Sequence, residues 1–240
     1  MPNMLEIIWQ DDRLLAVSKP AGLATVPGRD EPACVLEEMS GLGKLRVIHR
    51  IDKETSGVLL LAKDAGAQRA LCEQFFHRKV EKTYLALVAG APPAESGEID
   101  KPLGRHPKSP KFMAVRKDGR ASVTRWKLLE RFRTFSLLEC RPLTGRTHQI
   151  RVHLQSVGLP LAVDALYNPQ ATGIFLSEFK RGYQFKDVAE RPLIGRLTLH
   201  AASLKFADLN GQGIIIESDP PKDFRATLNM LRKYAPGRAG

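Results

Sequence analysis

The sequence predicts an α+β fold with a central mixed, mostly antiparallel β-sheet and flanking helices. Three observations carry this expectation. Short apolar or alternating segments of strand length follow one another along the chain, only a few helical patterns separate them, and their connections are irregular. There is no internal repeat and no low-complexity linker, and 240 residues at 43% hydrophobic content supply a core for one large domain or two small ones. One domain over residues 1–240 is expected, with the stretch near 91–120 as the place where two lobes around a cleft would part.

The elements follow in order. Residues 5–9 and 14–18 read as short strands around a turn, and Lys19-Pro20-Ala21-Gly22 ends the second, since Pro cannot donate to a ladder and Gly turns freely. Residues 58–62 form an apolar run suited to a buried strand. Asp64 then caps a helix over 65–78, with Ala67, Leu71 and Phe75 on one face and His77, Arg78 and Lys79 in the last turn, at the negative end of the dipole. Residues 82–89 alternate, with Thr83, Leu85 and Leu87 on one face and Lys82, Tyr84 and Ala86 on the other. Residues 91–97, with two prolines, read as a surface connection. Residues 105–120 read as an exposed loop leading into a hairpin, whose two-residue turn is Asp118-Gly119 with Gly at positive φ. Strands are expected over 122–129, 135–141, 197–206 and 213–218, and a last helix over 221–233. A helix over 147–157 is expected to turn Ile150, Leu154 and Val157 inward and to leave His148, Arg151 and Gln155 on the other side.

Charge narrows the partners. The chain carries 37 Lys and Arg against 26 Asp and Glu, a net charge of +11. Residues 101–151 alone hold 14 Lys and Arg against Asp118, Glu130 and Glu139, a surplus equal to the whole net charge. Such a segment suits a polyanion, and Lys108, Lys111, Arg116 and Lys117 are its candidate phosphate contacts. No apolar run is long enough for a membrane span, and the start lacks the pattern of a secretory signal. Three cysteines without CxxC spacing point to a reducing cytoplasm. The six histidines show no metal-ligand spacing, Glu38 stands where a GxxxxGK loop needs glycine, and neither GxSxG nor GxGxxG occurs.

Two segments concentrate reactive groups. In HRIDKETSG (49–57) the Asp52 carboxylate is surrounded by His49, Arg50 and Lys53, followed by two hydroxyls and a turn glycine; neighbouring cations favour the ionised carboxylate that a nucleophile or base requires. A surface Asp that caps or pairs has the same local pattern. In TGRTHQIRVHL (144–154) polar groups collect at a helix start, where N–H groups and the dipole favour anions, and an amphipathic helix with a solvated face is the alternative.

Together these segments resemble the RluA-type RNA pseudouridine synthases. Lys19-Pro20-Ala21-Gly22 is similar to that family's first motif, HRIDKETSGVLLLAK (49–63) to its catalytic HR[LI]DxxTSG motif, and EKTYLALVAG (81–90) to its tyrosine motif. LTGRTHQIRVHL (143–154) resembles the motif around its active-site arginine, and LTLHA (197–201) its late hydrophobic motif. The five occur in the family's order from about residue 5 to 217.

The resemblance implies isomerisation of uridine within RNA: the N-glycosidic bond breaks and the uracil rejoins the ribose through carbon 5. By the same resemblance Asp52 is the catalytic carboxylate, either adding to the ribose or base or taking a ribose proton. Arg151 is the arginine that pairs with it, and Tyr84 stacks on the uracil and assists loss of the carbon 5 proton. Arg50 enters the RNA stack as the base leaves it, and Leu199 lines the uracil pocket. His49, Thr55, Arg146 and His148 complete the expected substrate-binding set. No metal or organic cofactor is implied. The expected partner is structured RNA, tRNA or ribosomal RNA or both, approached by a cytoplasmic monomer with no membrane and no separate N-terminal RNA-binding domain. One departure is VDALYN (163–168), where the family often has Gly-Asp-x-x-Tyr-Gly: both glycines are replaced, and no expected catalytic residue is touched. A non-catalytic RNA-binding or RNA-folding protein on the same scaffold is the competing class, and a nuclease fits less well because no carboxylate cluster accompanies the basic segment.

Overall fold

Two-sided burial decides the architecture of the first part of the chain. In the computed structural model, which describes residues 5–28, 33–184 and 189–237, the elements begin with β1 (Ile7–Gln10), β2 (Leu14–Lys19), the short helix α1 (Val35–Glu38), β3 (Arg46–Val47) and β4 (Ser56–Ala62). Then come α2 (Ala65–Phe76), β5 (Glu81–Ala89), β6 (Ser96–Asp100), β7 (Leu103–His106), β8 (Ser109–Val115), β9 (Val123–Arg131) and β10 (Phe135–Pro142). The chain closes with α3 (Gln149–Gln155), β11 (Leu199–Ala207), β12 (Gly213–Glu217) and α4 (Lys222–Tyr234). Single 3₁₀ turns lie at Ser40–Leu42 and Leu176–Glu178. The α+β class with a mixed, mostly antiparallel sheet holds.

The chain divides into two units, Met1–Tyr84 with His200–Pro220, and Leu85–Leu199 with Pro221–Gly240. In the first, β1, β2, β4 and β11 are successive neighbours, β12 pairs with β11, and the β4–β11 pair is parallel while the rest are antiparallel. Leu14, Ala16, Val58 and Leu60 pack with Ala67 and Leu71 of α2, whereas Leu15, Val17, Leu59 and Leu61 pack with Val35 and Met39 on the opposite face. That is why β4 reads as a continuous apolar run rather than an alternation. In the second unit β5, β10, β9 and β6 are neighbours, and β7 and β8 make a separate antiparallel hairpin. Phe224, Leu228 and Leu231 of α4 pack with Leu87, Leu137 and Ile174 in its core.

Local chemistry explains most boundaries. Asp64 caps α2, accepting from the Ala67 amide at 2.9 Å and binding Arg13 through two contacts of 2.7 Å. The helix ends earlier than expected: His77 is its C-cap, Arg78 adopts φ 58°, and the amides of Arg78 and Lys79 return to Phe75 and Gln74. A left-handed stop of this kind satisfies the last carbonyls, and it takes Arg78 and Lys79 out of the last turn. Residues 96–97, expected in a surface connection, open β6; Gly97 lies beneath the Trp126 ring, where a Cβ would come within 2.7 Å of it. The hairpin turn also differs from expectation, since β7 and β8 turn at Pro107-Lys108 while Asp118-Gly119 belongs to a second turn closed by Gly119 N–H to Arg116. Gly119 does not take positive φ; a side chain is excluded there because its Cβ would meet the Leu103 backbone at 2.6 Å.

Gly57 combines both constraints. It has φ 115°, and a Cβ would lie 2.1 Å from the Ala201 carbonyl oxygen across the β4–β11 pair. Gly57→Ala is expected to cost more than about 3 kcal/mol of stability in urea unfolding, since strain and backbone collision add; a loss under about 1 kcal/mol would contradict this packing.

Candidate active site

The loop between β3 and β4 presents Asp52, and its backbone is tied to the segment after β2. Lys19 is completely buried, and its ammonium donates to the carbonyls of Pro20, Leu23 and Lys53 at 2.8, 2.7 and 2.8 Å. The Gly22 amide reaches Lys53 O at 2.9 Å, and the Thr25 hydroxyl donates to Ile51 O at 3.3 Å. The Thr55 amide closes a turn onto Asp52 O at 3.1 Å. Both carbonyls flanking Asp52 are therefore fixed, which removes freedom from a carboxylate that must meet a reacting atom. Lys19→Met would take the ammonium from the Pro20 and Leu23 carbonyls and leave Lys53 O with the Gly22 amide alone, and it is expected to cost about 3 kcal/mol or more, read from the urea midpoint.

Around this loop the expected residues separate by environment. Asp52 is half-buried and Arg50 exposed, while Thr55 is 1% exposed. Thr55 therefore shapes the turn rather than presenting itself to RNA. His49 has an interior role too: its Nε2 accepts from the Leu60 amide at 3.0 Å and its ring stacks on Phe75 at 4.8 Å. Burial, then the Lys82 charge, lower the His49 pKa to about 3, so the ring is neutral with the proton on Nδ1. Lys82 itself is lowered to about 8 by burial. Tyr84 shares the strand face of Lys82, and its phenol pKa is raised, first by burial and then by the negative charge of Asp52. The charge of Asp52, 32 positions away in the sequence, therefore acts on the Tyr84 phenol within the first unit.

The same unit holds a buried relay beside the loop. His200 Nε2 donates to Ser218 O at 2.8 Å, so its Nδ1 accepts from the Ser56 hydroxyl at 3.0 Å. Ser218 Oγ meets Ser18 Oγ at 2.9 Å.

In the second unit, α3 departs from the expected amphipathic helix. Gln149, Ile150, Arg151, Val152, His153 and Leu154 are all buried, and Val157, expected inside, is 41% exposed. Hydrogen bonds make the polar burial tolerable. The Gln149 amide donates to Val123 O at 2.9 Å and Thr124 Oγ1 at 3.0 Å, and its Oε1 accepts from Thr144 at 2.6 Å and from the Arg146 amide at 3.0 Å. His153 Nε2 donates to Lys101 O at 2.9 Å while Nδ1 faces Thr124 at 2.9 Å. The start of α3 is thus engaged by its own chain, and the half-buried Arg146 reaches Ala121 O at 3.4 Å.

Arg151 is held most closely. Its Nε and Nη2 donate to the two carboxylate oxygens of Asp164 at 2.8 and 2.7 Å, with both side chains almost fully buried. Its guanidinium carbon lies 5.0 Å from the centre of the Tyr167 ring. Asp164 also accepts from the amides of Leu166 and Tyr167 at 2.9 and 3.1 Å. The Tyr167 hydroxyl accepts from the Met113 amide of β8 at 2.9 Å and contacts His148 Nδ1 at 2.9 Å, with His148 at φ 54°. Sequence reasoning missed Asp164 and Tyr167; the signal available was that VDALYN keeps the acidic and aromatic positions of its motif while losing both glycines.

The basic surface is uneven. Lys108 sits at the β7–β8 turn and Lys111 on β8, both exposed, and Lys117 is exposed in the next turn. Arg116 is different: its Nε and Nη2 bind both Asp118 oxygens at 2.7 and 2.6 Å, so its charge is already compensated. Between the hairpin and α3 runs a half-open groove of about 380 Å³ lined by Phe112, Met113, Gln155 and Tyr167. Leu199 opens β11 and is 4% exposed. Among the described residues no group of three or more His, Cys, Asp or Glu side chains is placed to hold a metal ion, and no helix is long and apolar enough to cross a membrane.

Comparison with known proteins gives a consistent result. Residues 13–156 match the family model described as RNA pseudouridylate synthase. The chain is 38% identical over 95% of its length, and 70% of the relative's, to Ribosomal large subunit pseudouridine synthase D of Xanthomonas campestris. It is 36% identical to Ribosomal large subunit pseudouridine synthase C of Escherichia coli K12, covering 94% of this chain and 70% of the other. The solved structure of Human RNA Pseudouridylate Synthase Domain Containing 4 aligns with TM-score 0.73 and 26% identity, over 95% of this chain and 93% of that one.

Proposed function

Given that the chain belongs to the RNA pseudouridylate synthase family, we propose that it isomerises uridines of large-subunit ribosomal RNA, with Asp52, Tyr84 and Arg151 as its catalytic residues. The reaction class follows from the family: the chain is an RNA pseudouridine synthase. The observation that carries the residue assignment is the fixed backbone of the Asp52 loop, held by Lys19 at Lys53 O and by Thr25 at Ile51 O, with the charge of Asp52 acting on the half-buried Tyr84 phenol. The substrate class rests on relatives named as ribosomal large subunit synthases.

The reaction breaks the bond between ribose C1′ and uracil N1 and forms one between C1′ and C5; C5 loses its proton, N1 ends protonated, and the oxidation state is unchanged. Asp52 acts in its ionised form, whether it adds to the substrate or takes a ribose proton, because both roles need an acceptor-only carboxylate. Tyr84 stays a phenol in the free enzyme and stacks on the uracil. If Asp52 loses its charge in a covalent adduct, the Coulombic part of the elevation at Tyr84 disappears, which moves the phenol toward the state that accepts the C5 proton. Arg151 supplies a fixed cation, and a guanidinium oriented by a bidentate partner suits that role. Arg50, exposed beside Asp52, fills the stack vacated by the flipped base, offsetting part of an unstacking cost of a few kcal/mol.

Mapping pseudouridines in ribosomal RNA and tRNA from cells with and without the protein tests the target. Sites that disappear from large-subunit ribosomal RNA are expected; sites that disappear from tRNA alone would overturn the proposed substrate.

A further inference from the structure

We propose that Asp164 is a positioning residue for the isomerisation, setting the direction of the Arg151 guanidinium, and that Tyr167 backs this pair and joins it to the basic hairpin. The inference rests on the reading of Arg151 as a catalytic cation and deepens it.

The geometry has three parts. First, Asp164 engages Nε and Nη2 of Arg151 with both of its oxygens, the fork arrangement that fixes both the plane and the rotation of a guanidinium. The Nη1 edge is thereby pointed away from Asp164 in one direction. A lysine in the same place would carry the charge without that direction. Second, Asp164 is itself immobile: it is buried, and one of its oxygens accepts two backbone amides from the turn that follows it. An arginine anchored by a floating carboxylate would gain little orientation, whereas this one is tied to the main chain. Third, Tyr167 closes the remaining side. Its ring lies against the guanidinium, Phe112 of β8 meets its edge at 5.8 Å, and its hydroxyl takes the Met113 amide and touches His148. A side chain that packs against Arg151 therefore also anchors the strand bearing Lys111, so the catalytic cation and the polyanion-facing hairpin share a support.

A structural ion pair that only stabilises the fold would show the same distances, and kinetics separates the two. Single-turnover and steady-state rates are measured on folded enzyme, checked by thermal melting and RNA binding, for Asp164→Asn, Arg151→Lys and the double variant. Asp164→Asn is expected to lower kcat by about 10- to 100-fold with KM within about threefold. In the Arg151→Lys background the same substitution is expected to cost less than about threefold, because a lysine has no fork for Asp164 to hold. Asp164→Glu keeps the ion pair and shifts the carboxylate by one methylene, and it serves as the second variant where thermal melting shows Asp164→Asn unfolded; a kcat loss of about fivefold or more at unchanged KM is expected. Wild-type kcat in Asp164→Asn or Asp164→Glu overturns the proposal, as do multiplicative losses in the double variant. Wild-type kcat in Arg151→Lys overturns the assignment of Arg151, and this inference with it, through a different variant. The two failures are therefore distinguishable.

Discussion

Asp52→Asn is expected to abolish pseudouridine formation, lowering the single-turnover rate by at least about a thousandfold while RNA affinity changes by less than about threefold. The substitution is nearly isosteric and leaves the main chain alone. The loop is shaped by Lys19 bonding to Lys53 O, Gly22 to the same carbonyl and Thr25 to Ile51 O, none of which uses the Asp52 side chain. What disappears is the charge and half of the acceptor capacity. With that charge gone, one of the two causes that hold the Tyr84 pKa up is also removed, so titration of the phenol should move down in the variant. Tyrosinate absorbance measured against pH in both proteins checks this without any substrate. A variant that keeps its rate would require another catalytic carboxylate.

Removing Lys108, Lys111 and Lys117 together is expected to weaken RNA binding by about 10- to 100-fold near 0.1 M salt and to flatten the slope of log K against log salt by about 2 to 3, each phosphate contact carrying about 0.7 to 0.9. The hairpin and the turn after it suit this role because Lys108, Lys111 and Lys117 are exposed and no acidic residue lies within β7 or β8. Arg116→Ala is expected to change the slope by much less, since Asp118 already neutralises that guanidinium through two short contacts. Equal effects at Lys108 and Arg116 would show that the Asp118 pair opens on RNA. An unchanged slope in the triple variant would remove the hairpin from the contact surface.

The legible parts of this fold are those where one physical signal dominates. The buried strands at β2 and β4 follow from an uninterrupted apolar run, and the Asp64 cap of α2 from one acidic residue before a helical stripe. Asp52 and Tyr84 are singled out by their motifs, and the charge of Asp52 acts on the Tyr84 phenol. The helix bearing Arg151 misled because hydrophobic periodicity assumes that polar side chains face water. Here Gln149, Arg151 and His153 are buried by partners such as Thr124, Asp164 and Lys101 that lie up to 52 residues away. His49 misled for a related reason: a histidine beside a reactive aspartate reads as functional, yet its ring is consumed by Leu60 and Phe75. The β7–β8 hairpin was placed at the wrong turn because Pro107 and a run of cations mask strand propensity, and Asp118-Gly119 imitates a hairpin signal. Asp164 and Tyr167 carry no periodic signal, only the acidic and aromatic positions kept in VDALYN, and their bonds to Arg151 and His148 appear first in the structure.

Release of hydrogen from carbon 5 is the event that separates isomerisation from binding. Large-subunit ribosomal RNA transcribed with uridine tritiated at C5 is incubated with the wild-type protein and with Asp52→Asn, and tritium freed to water is counted beside pseudouridine formed. One tritium released for each pseudouridine is expected from the wild-type protein, and none from the variant although it still binds the RNA. Binding by the wild-type protein with no tritium released from any uridine, in ribosomal RNA or tRNA, would contradict isomerisation and leave a protein that holds RNA without changing it.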